Sequence, residues 1–214
     1  VGLEVIEGST LHGAQLVVLR TLPTLATNHD GVGIDVVENS RLELEHAWVA
    51  ESNGFGVGVS SSIGVLSDLV VARTALSQAS GAGAGLQVAM GGDVVLRRLR
   101  AVANENLGVL LTGSTLVAED VDVTNGVEGE SRPSMNGFVA QYGGNATISR
   151  LRVDGSSSIA LTVGPDSNAT IDDVSLLSTR SDQAGEWGRG IQLQGKSKLT
   201  MNRAEISGAA DVGV

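Results

Sequence analysis

A small residue followed by an apolar, variable, apolar triplet recurs along the whole chain. It appears as Gly2-Leu3-Glu4-Val5, Gly33-Ile34-Asp35-Val36, Gly56-Val57-Gly58-Val59, Gly85-Leu86-Gln87-Val88, Gly108-Val109-Leu110-Leu111, Gly137-Phe138-Val139-Ala140, Ala160-Leu161-Thr162-Val163 and Gly190-Ile191-Gln192-Leu193. Self-similarity of this kind marks a solenoid, in which each unit buries its inner face only by stacking on the next. The units run 2 to 32, 33 to 55, 56 to 84, 85 to 107, 108 to 136, 137 to 159, 160 to 189 and 190 to 212, and Gly213 opens a ninth. Their lengths, 31, 23, 29, 23, 29, 23, 30 and 23 residues, alternate long and short.

Inside each unit a second pattern follows, with apolar residues at relative positions 0, 2, 5 and 7: Leu42, Leu44, Ala47 and Val49; Val94, Leu96, Leu99 and Ala101; Ala146, Ile148, Leu151 and Val153; Leu199, Met201, Ala204 and Ile206. Spacing of two is the strand period, and the step from 2 to 5 skips two outward residues, as a bend between strands requires. Each unit therefore reads as three short strands separated by turns, with polar turns such as Ser52-Asn53-Gly54, Asn104-Glu105-Asn106 and Asn125-Gly126. Aromatic residues are only 2% of the chain while glycine supplies 29 of 214 residues, so small aliphatic side chains must fill the core.

These starts and the 0, 2, 5, 7 pattern resemble the right-handed parallel β-helix repeats of the pectin-lyase-like superfamily, over essentially the entire chain. The expected fold is all-β: a right-handed, single-stranded parallel β-helix of about eight coils forming one domain over residues 1 to 214. Handedness comes from the resemblance alone. A β-sandwich and a leucine-rich repeat are the competing architectures, and the consensus of the latter is missing from the sequence.

Aligned units place Gln15, His46, Asp68, Arg98, Asp120, Arg150, Asp173 and Arg203 at position 4, an outward corner where the sign alternates from Asp68 onward. Position 6 repeats part of this with Arg100, Asp122 and Arg152. Stacked coils lie about 4.8 Å apart, so alternation attracts where repetition would repel. The reading favoured is a structural ladder rather than a catalytic carboxylate cluster.

The net charge of −10 and only two lysines disfavour a nucleic-acid partner. With no cysteine there is no disulfide framework and no thiolate nucleophile or metal ligand. No apolar run reaches the roughly eighteen residues of a membrane span, and no leader pattern opens the segment, which the repeat at both ends suggests was cut from a longer chain. Enzymes with the resembled scaffold cleave acidic polysaccharides, but of the polygalacturonase-like motifs only Asp172-Asp173 matches, and Arg132-Pro133 stands without the second arginine of pectate-lyase-like enzymes. The three histidines, His12, His29 and His46, lie in the first two units with Glu43, Glu45 and Asp30 nearby, and no metal site or cofactor is assigned to them. Asn145-Ala146-Thr147 and Asn168-Ala169-Thr170 fit the glycan-acceptor tripeptide.

The extra residues of long units, 20 to 30, 72 to 84, 124 to 136 and 177 to 189, are expected to project as one row of loops. Their polar and aromatic members Glu130, Arg132, Asp182, Glu186, Trp187 and Arg189 are the candidate ligand-binding residues, with Trp187 placed to stack on a sugar ring. Two functions follow. The leading one is a noncatalytic structural or adhesive scaffold of a large secreted or cell-surface bacterial protein, with polysaccharide or another surface protein as partner; a predominance of arginine over lysine carries the bacterial assignment. The alternative is a polysaccharide-active enzyme or carbohydrate-binding module using the loop ridge.

Overall fold

The computed structural model describes residues 1–23, 31–78, 80–125, 135–182 and 184–211. Among them are 17 strands and no helix. One sheet holds eight: β1 (Leu3–Val5), β4 (Ile34–Val36), β6 (Phe55–Ser60), β8 (Ala84–Ala89), β10 (Leu107–Thr112), β12 (Asn136–Gln141), β14 (Ile159–Val163) and β16 (Arg189–Leu193), in that spatial order. The other holds nine: β2 (Thr10–Ala14), β3 (Val17–Leu19), β5 (Arg41–Ala50), β7 (Ile63–Ala72), β9 (Asp93–Val102), β11 (Thr115–Thr124), β13 (Asn145–Asp154), β15 (Asn168–Leu177) and β17 (Lys198–Ser207). Neighbours within a sheet are one unit apart in sequence, and all the named strands pair in parallel. This arrangement is compatible with a parallel β-helix or a similar solenoid.

The register follows the repeat. Leu3 pairs with Ile34, Ile34 with Val57, Val57 with Leu86, Leu86 with Val109, Val109 with Phe138, Phe138 with Leu161 and Leu161 with Ile191. In the nine-stranded sheet Leu96, Ala118 and Ile148 stand in one row, and Leu99, Val121 and Leu151 in another. All but the half-buried Leu3, which packs against the others, are buried in one apolar cluster that runs through both sheets. Alternate residues face inward because side chains alternate across a strand, and the aliphatic rows touch because their backbones are adjacent.

Three short strands per unit were expected; from β5 onward the second and third are one strand of ten residues. Only the first unit divides, into β2 and β3. The bend takes a single residue in the left-handed region, at Gln15, His46, Asp68, Arg98 and Asp120 (φ from 53° to 60°), and from β5 onward pairing resumes at once on its far side. The bend also moves. Up to β11 the residue left out of the pairing is at position 4, as with Asp68 between Ser67 and Leu69. From β13 it is at position 3, so that Arg150, Asp173 and Arg203 pair while Ser149, Asp172 and Asn202 do not.

At Gly56 and Gly108 the glycine that opens the unit is required by close approach. A Cβ on Gly108 would lie 2.2 Å from a Val123 methyl and 2.7 Å from the Gly137 carbonyl oxygen, and Gly56 has the same relation to Val71 at 2.1 Å. The chain crosses the end of its own ten-residue strand there, leaving no room for a side chain.

Polar residues read as turns are partly interior. Ser52, Thr74, Asn104, Asn125, Ser156 and Thr179 are buried, each just beyond a ten-residue strand. Asn104 shows why: its Oδ1 accepts from the Thr74 backbone N–H at 3.1 Å and its Nδ2 donates to the Val71 carbonyl at 3.3 Å, satisfying groups of the preceding unit. At the opposite corner, Ser62, Ser114 and Ser167 accept from the backbone N–H of Ser40, Gly92 and Gly144 at 3.1 to 3.2 Å.

Candidate functional site

The outer surface of the nine-stranded sheet gathers most of the charged chemistry. Arg98 donates through Nε and Nη2 to both oxygens of Asp68, Arg150 does so to Asp120, and Arg203 to Asp173. Each pair joins a long unit to the following short one. The Nη2 contacts are 2.5, 2.9 and 2.9 Å respectively. A guanidinium matches a carboxylate edge with two parallel N–H groups, so each fork is directed at the aspartate of the preceding unit. The hydrogen bonds from Arg98, Arg150 and Arg203 hold Asp68, Asp120 and Asp173 below the usual carboxylate range.

The row continues toward the N-terminal strands through His46, whose Nδ1 lies 3.3 Å from Asp68. Around it the expected position 6 row forms Arg152–Asp122 at 3.2 Å and Arg100–Asp122 at 3.9 Å. Glu119 adds contacts to Arg150 at 2.9 Å and Arg97 at 3.5 Å. Asp172 and Asp173, the sole match to a hydrolase motif, separate: Asp172 accepts from Asn202 Nδ2 at 2.5 Å while Asp173 faces Arg203.

The histidines take up carboxylates individually. His12 Nδ1 is 2.6 Å from Glu43, which also receives Arg41 Nε at 2.6 Å; Arg41 first, and then His12, lowers the Glu43 pKa. Glu51 is lowered in the same way by Arg20 and then Arg73. Among the described residues no group of three or more histidines and acids is placed to hold a metal ion. His29 and Asp30 lie outside the described residues. A groove of about 500 Å³ runs beside His12, Glu43, Glu45 and Arg97, floored by Val65 and Val95.

On the eight-stranded sheet a second groove, about 720 Å³, has Glu4, Asp35, Gly58 and Gln87 along its floor and Phe55 and Met90 at its sides. Asp35 is half-buried there, and burial first, then the charge of Glu4 on the adjacent strand, pushes its carboxyl above the usual value. The repeat placed Asp35 at a variable outward position; nothing in its local sequence distinguished it from a solvated acid.

Of the loop residues selected from sequence, Asp182, Glu186, Trp187 and Arg189 are described and adjacent. Asp182 Oδ1 accepts from the backbone N–H of Ala184 at 3.0 Å and Glu186 at 2.9 Å, closing a small turn on itself. The Arg189 guanidinium lies 4.5 Å from the centre of the Trp187 ring and also 3.4 Å from Asp211. One face of the indole is therefore occupied by a cation from its own chain. Glu130 and Arg132 lie outside the described residues, and with them the third loop of the expected ridge. The chain matches no family model, no curated protein and no solved structure.

Proposed function

We propose that this chain is a right-handed, single-stranded β-helix of pectin-lyase-like architecture, about eight coils long, in which coils of 23 residues alternate with coils of 29 to 31. In this reading it is a noncatalytic structural or adhesive scaffold of a large secreted or cell-surface bacterial protein. Eight coils at about 4.8 Å each span roughly 40 Å, a stiff spacer that presents side chains at fixed intervals. Polysaccharide or another surface protein is the partner such a spacer would meet.

The observation that carries the reading is the commitment of charge to bracing. Asp68, Asp120 and Asp173, the acids most regularly arrayed on the surface, each accept both hydrogen bonds of an arginine fork from the next coil. Carboxylates so held, with lowered pKa, are poorly suited to protonating a leaving group. They are well suited to fixing the spacing of coils.

A screen of acidic polysaccharides for cleavage, run together with a glycan-binding array, tests this. The scaffold reading expects no turnover. Cleavage that disappears in Asp182→Ala or Glu186→Ala would replace it with the carbohydrate-active alternative.

A further inference from the structure

We infer that Asn168 is an acceptor for asparagine-linked oligosaccharide. The tripeptide Asn168-Ala169-Thr170 supplies the amide and the hydroxyl two residues later that glycan transfer reads, with alanine rather than proline between them. Asp166 adds a carboxylate two residues before the acceptor, a handle for the basic groups of a transferase. In the folded chain Asp166, Asn168 and Thr170 are all exposed, while Ser167 and Ala169 between them are buried. The strand period turns Asn168 and Thr170 outward together with Ala169 as anchor, and the turn just before the strand, where Asp166 has φ 55°, exposes the acid.

The neighbouring tripeptide at Asn145 differs in the features that matter. Asn145 is in register with Asn168 and its Nδ2 also donates once, to the Gly143 carbonyl at 3.1 Å, but the residue two before it is Gly143, which brings no carboxylate. Asn168 Nδ2 donates once, to Asn145 Oδ1 at 3.0 Å. A primary amide nitrogen has two hydrogens, so a glycosylated Asn168 retains one N–H for a bond of this kind.

In the transfer, the amide nitrogen of Asn168 attacks the anomeric carbon of a polyprenyl-diphosphate-linked oligosaccharide. A C–N bond forms, and the C–O bond to the diphosphate breaks with its electron pair leaving on that group. One amide proton is lost to base. The backbone N–H of Asn168 is bonded to the Gly144 carbonyl at 2.9 Å, and β15 lies between β13 and β17.

The test is to export the full chain, with a supplied leader, from cells carrying an oligosaccharyltransferase of the class that demands an acid two residues before the acceptor, and to read the intact mass and the modified peptide. The expected result is one oligosaccharide on Asn168. It is lost in Asn168→Gln, Thr170→Ala and Asp166→Ala, and kept in Thr170→Ser and Asn145→Gln. A bare Asn168 beside a fully modified control acceptor in the same cells, or equal modification of Asn145, would overturn the inference. Because the leader is supplied, failure here leaves the surface localisation proposed above to be judged separately, by fractionating the native cells.

Discussion

Arg150 stands in register with Asp173 on one side yet gives its fork to Asp120 on the other, while Asp173 receives Arg203. The alternating row is therefore a set of pairs. Each acid accepts hydrogen bonds from the base of the next short unit, and the intervening steps, such as Arg98 to Asp120 and Arg150 to Asp173, act through space.

Arg150→Asp would place three carboxylates in line, whereas Arg150→Ala only removes a partner. The expected outcome is a lower melting temperature for the aspartate variant than for the alanine variant, with the gap narrowing as salt is added, because the pairs are exposed. Thermal melts at low and high ionic strength check this. Equal melting temperatures would argue against the pairing.

The paired aspartates set the acid limb of stability. Asp68, Asp120 and Asp173 have folded values below the ordinary 3.8, so their contribution is fully present above 3.8 and is lost as pH falls through the lower folded values. Asp35 has the opposite sign: its folded value lies above 3.8, so its contribution is present below 3.8 and lost as pH rises through the folded value. Asp35→Asn is expected to raise the melting temperature at pH 7 and to give no gain at pH 3. Paired melts at the two pH values decide it.

Gly108→Ala forces a methyl against Val123 and the Gly137 carbonyl, and is expected to cost about 1–3 kcal/mol as an overpacked site. Gly64→Ala is the control. Its Cβ would meet side-chain carbons and no backbone: a Val94 methyl at 3.2 Å, a Val59 methyl at 3.5 Å and Leu66 Cγ at 3.8 Å. There the gain from replacing glycine within a strand, about 0.5–1 kcal/mol, offsets the crowding. Urea titrations of the two variants should separate them clearly.

Asn104→Ala removes the buried partner of the Thr74 N–H and the Val71 carbonyl. Each unsatisfied group costs about 1–3 kcal/mol. The effect should appear in urea unfolding and as faster hydrogen exchange at the Thr74 amide.

The sheets were legible because period-two spacing and the unit repeat carry independent information: one assigns inward faces such as Leu96 and Leu99, the other aligns Leu96 with Ala118 and Ile148. The continuous ten-residue strand was not legible, since a one-residue bend at Arg98 leaves the same apolar spacing as a two-residue turn. The interior position of Asn104 was missed because asparagine favours turns by its own chemistry, and only the folded chain shows which backbone groups it satisfies. The charge row was visible from Asp68 to Arg203, but its division into pairs depends on arginine fork geometry. Of the loop residues, Asp182 bonds the Glu186 backbone and Arg189 lies over Trp187; the latter contact has no sequence signature beyond proximity.

The account rests on equivalent residues of successive units lying side by side, and methyl nuclear Overhauser contacts in the folded chain measure that directly. Strong contacts are predicted from Ala118 to both Leu96 and Ile148, and from Val121 to both Leu99 and Leu151. Their absence, or contacts pairing Ala118 with residues other than those one unit away, would contradict the stacking from which every other conclusion follows.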